Sequence, residues 1–317
     1  MDLGASPAPH GSSAEAPKIC AVVPTRDRLE LVRVAVQAIL DQTYAGPIEC
    51  IVVFDQSDPH PIDVAERPGR QVRTIRNHRT PGLAGARNSG VLAADGPLVA
   101  FCDDDDEWLP GKIEAQVRLL AELPDAALVA CGILVRFEGK DRSRPAPGGP
   151  LRRRDFLRDR LMEINPCTAL IRRNRMLEEI GLVDEEIPGG YGEDYEWLLR
   201  AAERGPVHAV PEPFVRVNWH TSSFFADRWR VIIEALHYLL DSYPDFRDEP
   251  AGLARIEGQL AFAHAGLGER RQARQWAARA VRHRWTEQRA YAALLASTGL
   301  VSNDTIIRLA HRAGRGI

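Results

Sequence analysis

The sequence predicts an α/β protein: a mostly parallel sheet flanked by helices, followed by an all-helical C-terminal region. Residues 19–24 and 48–54 are short apolar runs without alternation, the pattern of strands buried on both faces. Such runs alternate with stretches of helical spacing, which implies parallel strands joined by helical crossovers. Polar clusters follow the strands directly, at the end where parallel sheets bind ligands.

The elements justify this reading in order. Residues 19–24 form the first strand. Residues 28–41 carry Leu29, Val32, Val36, Ile39 and Leu40 near helical spacing and form the first helix. Ile48–Phe54 is the second buried strand, and 72–75 a weaker third. Residues 82–94 make an Ala-rich helix, 98–102 a fourth strand and 112–123 a further helix. The Pro-, Gly- and charge-rich stretch 137–150 reads as a loop. A strand is expected at 167–171, and a helix at Glu193–Arg204 stopped by Gly205-Pro206. Residues 207–217 read as one or two edge strands interrupted by Pro211 and Pro213. From residue 227 the chain is helical throughout, with breaks near Pro244, at 266–268 and at Gly299. The expected division is a disordered lead-in at 1–17, an α/β domain at 18–225 and a helical domain at 226–317.

Apolar residues make up 44% of the chain and charged residues 27%, with a net charge of −3, so overall charge selects no partner. No stretch approaches the roughly 20 apolar residues that span a bilayer. The N-terminus lacks the basic and apolar regions of a secretory signal. Cys20, Cys50, Cys102, Cys131 and Cys167 form no C-x-x-C pair, and four lie in or beside apolar runs. They are expected as reduced core thiols of a cytoplasmic protein.

Three polar clusters mark the expected site: Thr25-Arg26-Asp27-Arg28, Asp55-Gln56-Ser57-Asp58 and Asp103 to Asp106. Four consecutive carboxylates repel one another unless solvent or a cation neutralises them. Clustered hard oxygens select Mg²⁺ or Mn²⁺. A metal there would stabilise charge building on a leaving diphosphate.

Four segments, taken together, carry a resemblance: AVVPTRDR, VVFDQSD, GLAGARNSGVLAADGPLVAFCDDDDEWLP and GGYGEDYEWLLRAAERG, spread from Ala21 to Gly205. In this order and spacing the chain resembles the family 2 glycosyltransferases, with the GT-A fold. The resemblance implies inverting transfer of a sugar from a UDP-, dTDP- or GDP-linked donor to an acceptor hydroxyl, assisted by Mn²⁺ or Mg²⁺. It implies that Asp103-x-Asp105 is the D-x-D motif, with Asp105 the direct metal ligand and Asp103 or Asp104 at the ribose or in the metal shell. The four-Asp run leaves that register open by one residue. Pro24, Thr25 and Arg26 would line the base, and Asp55 would accept its hydrogen bond. Arg87 and Asn88 would lie near the donor phosphates or sugar, where an arginine offers a permanently charged fork. Asp194 would be the general base and Glu193 would orient it or the acceptor. Relatives often carry DDGS after the second strand. The departure at Asp55-Gln56-Ser57-Asp58 leaves the base open. His220 is implied near the metal or diphosphate, with a structural role as the alternative. Trp197 and Trp219 are expected either to stack on sugars or to pack in the core.

Ten arginines follow Glu269, opposed by Glu269, Glu287 and Asp304 alone. With Trp276, Trp285, Leu294 and Leu295 nearby, a solvated Arg-rich face is expected, peripheral contact with the inner face of an anionic membrane being the alternative. No nucleic acid is expected as a partner. Two rivals remain: a non-catalytic adaptor with a basic tail, and a sugar-nucleotide pyrophosphorylase. The latter needs a Gly-rich loop with a lysine after the first strand, which PTRDRLELVR lacks.

Overall fold

Alternate residues of the first two strands serve two different cores. In β1 (Ile19–Thr25) and β2 (Ile48–Phe54), Ile19, Ala21, Val23, Cys50 and Val52 face one side, while Cys20, Val22, Ile51 and Val53 face the other. Both strands are buried along their whole length. That is why their sequences show no alternation: each face needs apolar side chains. The computed structural model describes residues 16–219 and 228–312.

After β1 come α1 (Leu29–Leu40), β2, β3 (Arg70–Arg76), α2 (Leu83–Ala93), β4 (Leu98–Phe101), β5 (Glu107–Trp108) and α3 (Lys112–Glu122). With β6 (Leu128–Phe137), β8 (Leu170–Arg172) and β9 (Val207–Asn218), the sheet order is β3-β2-β1-β4-β8-β6-β9-β5. The first four strands of that order pair in parallel. Beyond β4 the sheet is mixed: β8 runs antiparallel to β4 and β6, and β9 runs parallel to β6 and antiparallel to β5. Residues of α1 and α3 share the first core. The second holds residues of α2, of α4 (Arg153–Arg158) and of α6 (Glu193–Arg204). A short turn, α5 (Arg173–Arg175), follows β8.

Three expectations are corrected. The loop expected at 137–150 begins as a hairpin joining β6 to β7 (Lys140–Arg144). Its two turn residues, Glu138 and Gly139, both take positive φ, 49° and 74°, as a tight antiparallel turn requires. Glutamate is an unusual occupant of such a turn, so the hairpin leaves little trace in the residue types. The strand expected at 167–171 starts later, because Pro166–Thr168 forms a 3₁₀ turn in which the Thr168 hydroxyl accepts from the Asn165 N–H at 3.1 Å. Residues 207–218 form one interior strand rather than edge strands. The register shifts around Gly132, opposite Pro211 and Pro213, and this bulge absorbs the missing N–H donors.

The remaining helices are α7 (Trp229–Ser242), α8 (Pro250–Gly266), α9 (Arg270–His283), α10 (Gln288–Ser297) and α11 (Asn303–Arg312). The break between α9 and α10 was not expected; the Glu287 side chain caps α10 by accepting from the Arg289 N–H at 3.2 Å. Ile232, Ile233, Leu236, Ile256 and Leu260 join the same core as α2 and α6. Polar ties reinforce this. Arg255 donates to the Tyr195 hydroxyl at 2.7 Å, the Tyr238 hydroxyl donates to Asp184 at 2.7 Å, and Arg153 pairs with Asp245 at 2.7 Å.

The closest backbone approach in this packing is at Gly252, where a Cβ would lie 1.8 Å from the Leu157 carbonyl oxygen. Neither partner is a flexible side-chain end. Gly252→Ala is therefore expected to lower stability by about 1–3 kcal/mol through overpacking, read as a lower urea midpoint. An unchanged midpoint would show that α8 does not dock on α4 as described.

Candidate active site

Strands β1, β2 and β3 end together and β4 stops a little earlier, so the register brings the polar segments that follow them to one edge. Thr25 pairs with Phe54, and the Asp55 N–H donates to the Thr25 carbonyl at 2.8 Å. The Cys102 N–H donates to the Val22 carbonyl, so Asp103–Asp106 leave the sheet beside these residues.

Asp55 is buried, and its carboxylate is already engaged. It accepts from the Gly82 N–H at 3.1 Å, from Asn77 Nδ2 at 2.8 Å and from Gln56 Nε2 at 2.9 Å. Gly82 sits at φ 126°, a conformation that favours glycine, so this backbone donor is presented by a residue suited to the turn. Pro24 is buried within β1, while Arg26 is exposed at its end.

The four aspartates diverge. Asp104 is buried and accepts from the Thr25 hydroxyl at 2.7 Å and from Arg28 Nε at 3.0 Å, with Arg28 Nη2 closing a second contact. Arg28 Nη1 reaches Asp105 at 3.0 Å. One guanidinium thus bridges two neighbouring carboxylates. Burial pushes the Asp104 carboxyl up to about 6, although Thr25 and Arg28 pull the other way. Asp106 is buried beneath, accepts from the Asn218 N–H at 3.2 Å, and is pushed well up by burial and by Asp103 and Asp105. Asp103 and Asp105 keep more exposed side chains.

Oxygens that converge on a guanidinium suit a hard divalent cation. Of the two carboxylates on Arg28, Asp105 is the accessible one, while Asp103, also partly exposed, pairs with Arg87 instead. Asp103, Asp106 and Cys167 also lie with ligand atoms within 4.8 Å of one another. Burial and two carboxylates push the Cys167 thiol well up.

Arg87 joins this end of the cleft to the next. It is 2% exposed, and donates from Nη2 to Asp103 at 2.8 Å and from Nη1 to Glu193 at 3.0 Å. Burial works against its charge, but the two carboxylates outweigh burial and hold it firmly protonated. Its Nε has no hydrogen-bond partner among the described residues. Asn88 is fully buried and has no open face. It donates to the Val183 carbonyl at 2.8 Å and to Glu185 at 2.6 Å, and accepts from the Val183 N–H at 2.9 Å. Its observed work is to fasten α2 to the segment before α6.

Glu193 and Asp194 open α6 after Gly192, and their environments push them apart. Burial and the neighbouring Asp194 raise the Glu193 carboxyl. Burial would raise Asp194 too, but Arg160 and then Arg87 overcome it and hold that carboxylate below the usual range. Both Asp194 oxygens accept from Arg160 Nη2, at 3.0 and 2.8 Å. Asp194 and Arg160 line a cleft with Met162, Val217 and Trp219. Trp219 is half-buried under the Arg144 guanidinium, whereas Trp197 is fully buried and meets Phe101 edge-on at 5.9 Å, which settles it as core. His220 lies outside the described residues. Sequence reasoning placed Arg28 in the expected site without a role and missed Arg160. Arg28 stands in the motif after β1, but Arg160 falls in the arginine-dense run LRRRDFLRDR, where nothing distinguishes it.

Residues 20–181 match glycosyl transferase family 2. YwdF, an uncharacterised glycosyltransferase of Bacillus subtilis (strain 168), is 29% identical over 201 residues, 61% of this chain and 71% of its own. The Escherichia coli UDP-Glc:alpha-D-GlcNAc-diphosphoundecaprenol beta-1,3-glucosyltransferase WfgD is 29% identical over 99 residues, which cover 31% of this chain and 39% of that protein. Two solved structures share the fold. One is S. aureus TarS 1-349 with UDP-GlcNAc, at TM-score 0.56 and 13% identity over 94% of this chain and 92% of that one. The other is the mannosyltransferase PcManGT from Pyrobaculum calidifontis with GDP-Man and Mn²⁺, at TM-score 0.51 and 19% identity over 95% and 81%.

Because Arg87 compensates a buried Glu193, Arg87→Met is expected to destabilise the fold by about 3–5 kcal/mol, measured by urea unfolding at neutral pH. Adding Glu193→Gln should restore part of that loss. A double variant no more stable than Arg87→Met would remove the pairing as the cause.

Proposed function

The chain belongs to glycosyl transferase family 2, and from that premise we propose that it moves a sugar from a nucleoside-diphosphate sugar to an acceptor hydroxyl by one displacement with inversion. Family membership makes it a glycosyltransferase, which leaves the adaptor and pyrophosphorylase readings without support. The observation that carries the mechanistic reading is the separation of Glu193 from Asp194: one carboxyl held up, its neighbour held ionised, beside an open cleft.

In this reading the acceptor hydroxyl enters the cleft lined by Trp219 and Met162, and Asp194 accepts its proton. The acceptor oxygen forms its bond to the anomeric carbon as the bond from that carbon to the diphosphate oxygen breaks, and the diphosphate leaves with the electron pair. A single attack from the face opposite the leaving group inverts the centre. Asp105 and Asp103 would hold Mn²⁺ or Mg²⁺, which when bound supplies positive charge to the departing diphosphate. Arg28, half-exposed on a long side chain, would exchange its carboxylate partners for phosphate oxygens. Thr25 and Arg26, at the end of β1, would flank the nucleotide, and Asp55 would shape its base pocket through the 77–82 segment. WfgD by its name acts on a diphosphoundecaprenol-linked sugar, and TuaG of Bacillus subtilis (strain 168) is a putative teichuronic acid biosynthesis enzyme. These relatives support a lipid-linked or envelope saccharide as the acceptor. TarS and PcManGT support a UDP- or GDP-linked donor.

Asp194→Asn is expected to cut transfer by about 10²–10⁴-fold, while thermal shifts with UDP or GDP plus Mn²⁺ stay as in the wild type. Turnover at the wild-type rate would remove Asp194 as the base. Arg160→Met tests the electrostatics. Loss of the guanidinium disfavours the carboxylate, so the Asp194 pKa rises and the acid limb of kcat against pH moves to higher pH. A limb that stays in place, or moves to lower pH, contradicts the assignment.

A further inference from the structure

The C-terminal helices carry a surface for which the transfer reaction has no use. α10 is buried through Ala290, Ala293 and Ala296, and its opposite side exposes Tyr291, Leu294 and Leu295. Positions i, i+3 and i+4 of a helix lie on one face, so these side chains form a single stripe. Trp285, 75% exposed, stands at its start, where its carbonyl accepts from the Tyr291 hydroxyl at 2.6 Å. Leu300, 85% exposed, follows its far end. Isolated exposed apolar residues are ordinary, but a contiguous set containing a tryptophan marks an interaction surface.

Arginines frame the stripe. Arg274 Nε reaches the Ser297 hydroxyl at 3.4 Å, and the Arg270 guanidinium lies beside Gly299, so α9 lines one flank. Arg282 and Arg284 are exposed at the Trp285 end. Arg279 is paired with Glu257 and Arg289 with Glu287. Among the described residues Arg270, Arg271, Arg282 and Arg284 face no carboxylate. A protein core would penalise these guanidinium groups, whereas an anionic lipid surface satisfies both halves of the pattern. The aromatic and leucine side chains enter the headgroup boundary while the guanidinium groups meet phosphates.

We propose that the outward face of α10, with Trp285 and the flanking arginines of α9 and the α9–α10 connection, docks on an anionic lipid bilayer. This goes beyond the transfer reading and does not depend on it, since no nucleotide or acceptor takes part.

The test is flotation of the full chain with phosphatidylglycerol-containing vesicles, without nucleotide or metal. The protein should float with these vesicles at low salt, lose most of that binding at raised salt, and ignore pure phosphatidylcholine vesicles. Two variants, Trp285→Ser with Leu295→Ser and Arg282→Gln with Arg284→Gln, should each lower the partition coefficient about tenfold or more. All four side chains are exposed, so melting temperatures should stay near wild type. Absence of flotation at low salt, or unweakened binding by both variants, overturns the proposal. So does a solution dimer that the Trp285→Ser, Leu295→Ser variant dissociates, which would assign the stripe to a second copy of the chain.

Discussion

Arg87 lets carboxylates from distant parts of the chain share one cleft. Its guanidinium is almost wholly buried, yet it stays charged because Asp103 lies on one side and Glu193 on the other. Arginine suits the position, since its planar fork serves two partners at once and cannot lose its proton. The same logic is repeated on both sides. Arg28 holds Asp104 and Asp105, and Arg160 holds Asp194. Carboxylates and guanidinium groups therefore alternate from the end of β1 to the start of α6.

This arrangement depends on the sheet behind it. Strands β1 and β2 end at one level, Thr25 opposite Phe54, while β4 stops earlier, Phe101 opposite Val22, and the polar residues that follow all three leave at the same edge of the sheet. α6 reaches that edge from the opposite part of the chain. It is held there by Trp197 in the core and by Tyr195, whose hydroxyl donates to the Phe156 carbonyl at 2.5 Å and accepts from Arg255 of α8. The helices after residue 228 thus help to set the position of the proposed base, through packing rather than through contact with it.

Much of this was legible in the sequence. Ile48–Phe54 and Glu193–Arg204 were readable to the residue, because a doubly buried strand and a helix stopped by Gly205-Pro206 leave unambiguous signals. The aspartate run and the start of α6 announced themselves through charge placed directly after apolar segments. Pairwise geometry was not legible. Nothing in the spacing of Arg28 or Arg160 shows which carboxylate each will meet, since those partners lie 76 and 34 residues away. The side chain of Asn88 is engaged by Val183 and Glu185, contacts made only once α2 has packed. The Glu138-Gly139 turn and the bulge at Gly132 escaped for a related reason: local preference was overridden by strands pairing across the sheet.

The five cysteines sit in the two cores, every one buried, with burial holding each thiol above its ordinary range. The folded surface consequently presents no native thiol to alkylating reagents. A cysteine installed on an exposed helix would be the sole reactive handle, so a fluorophore or spin label could be attached to the native chain without first stripping it of its own thiols.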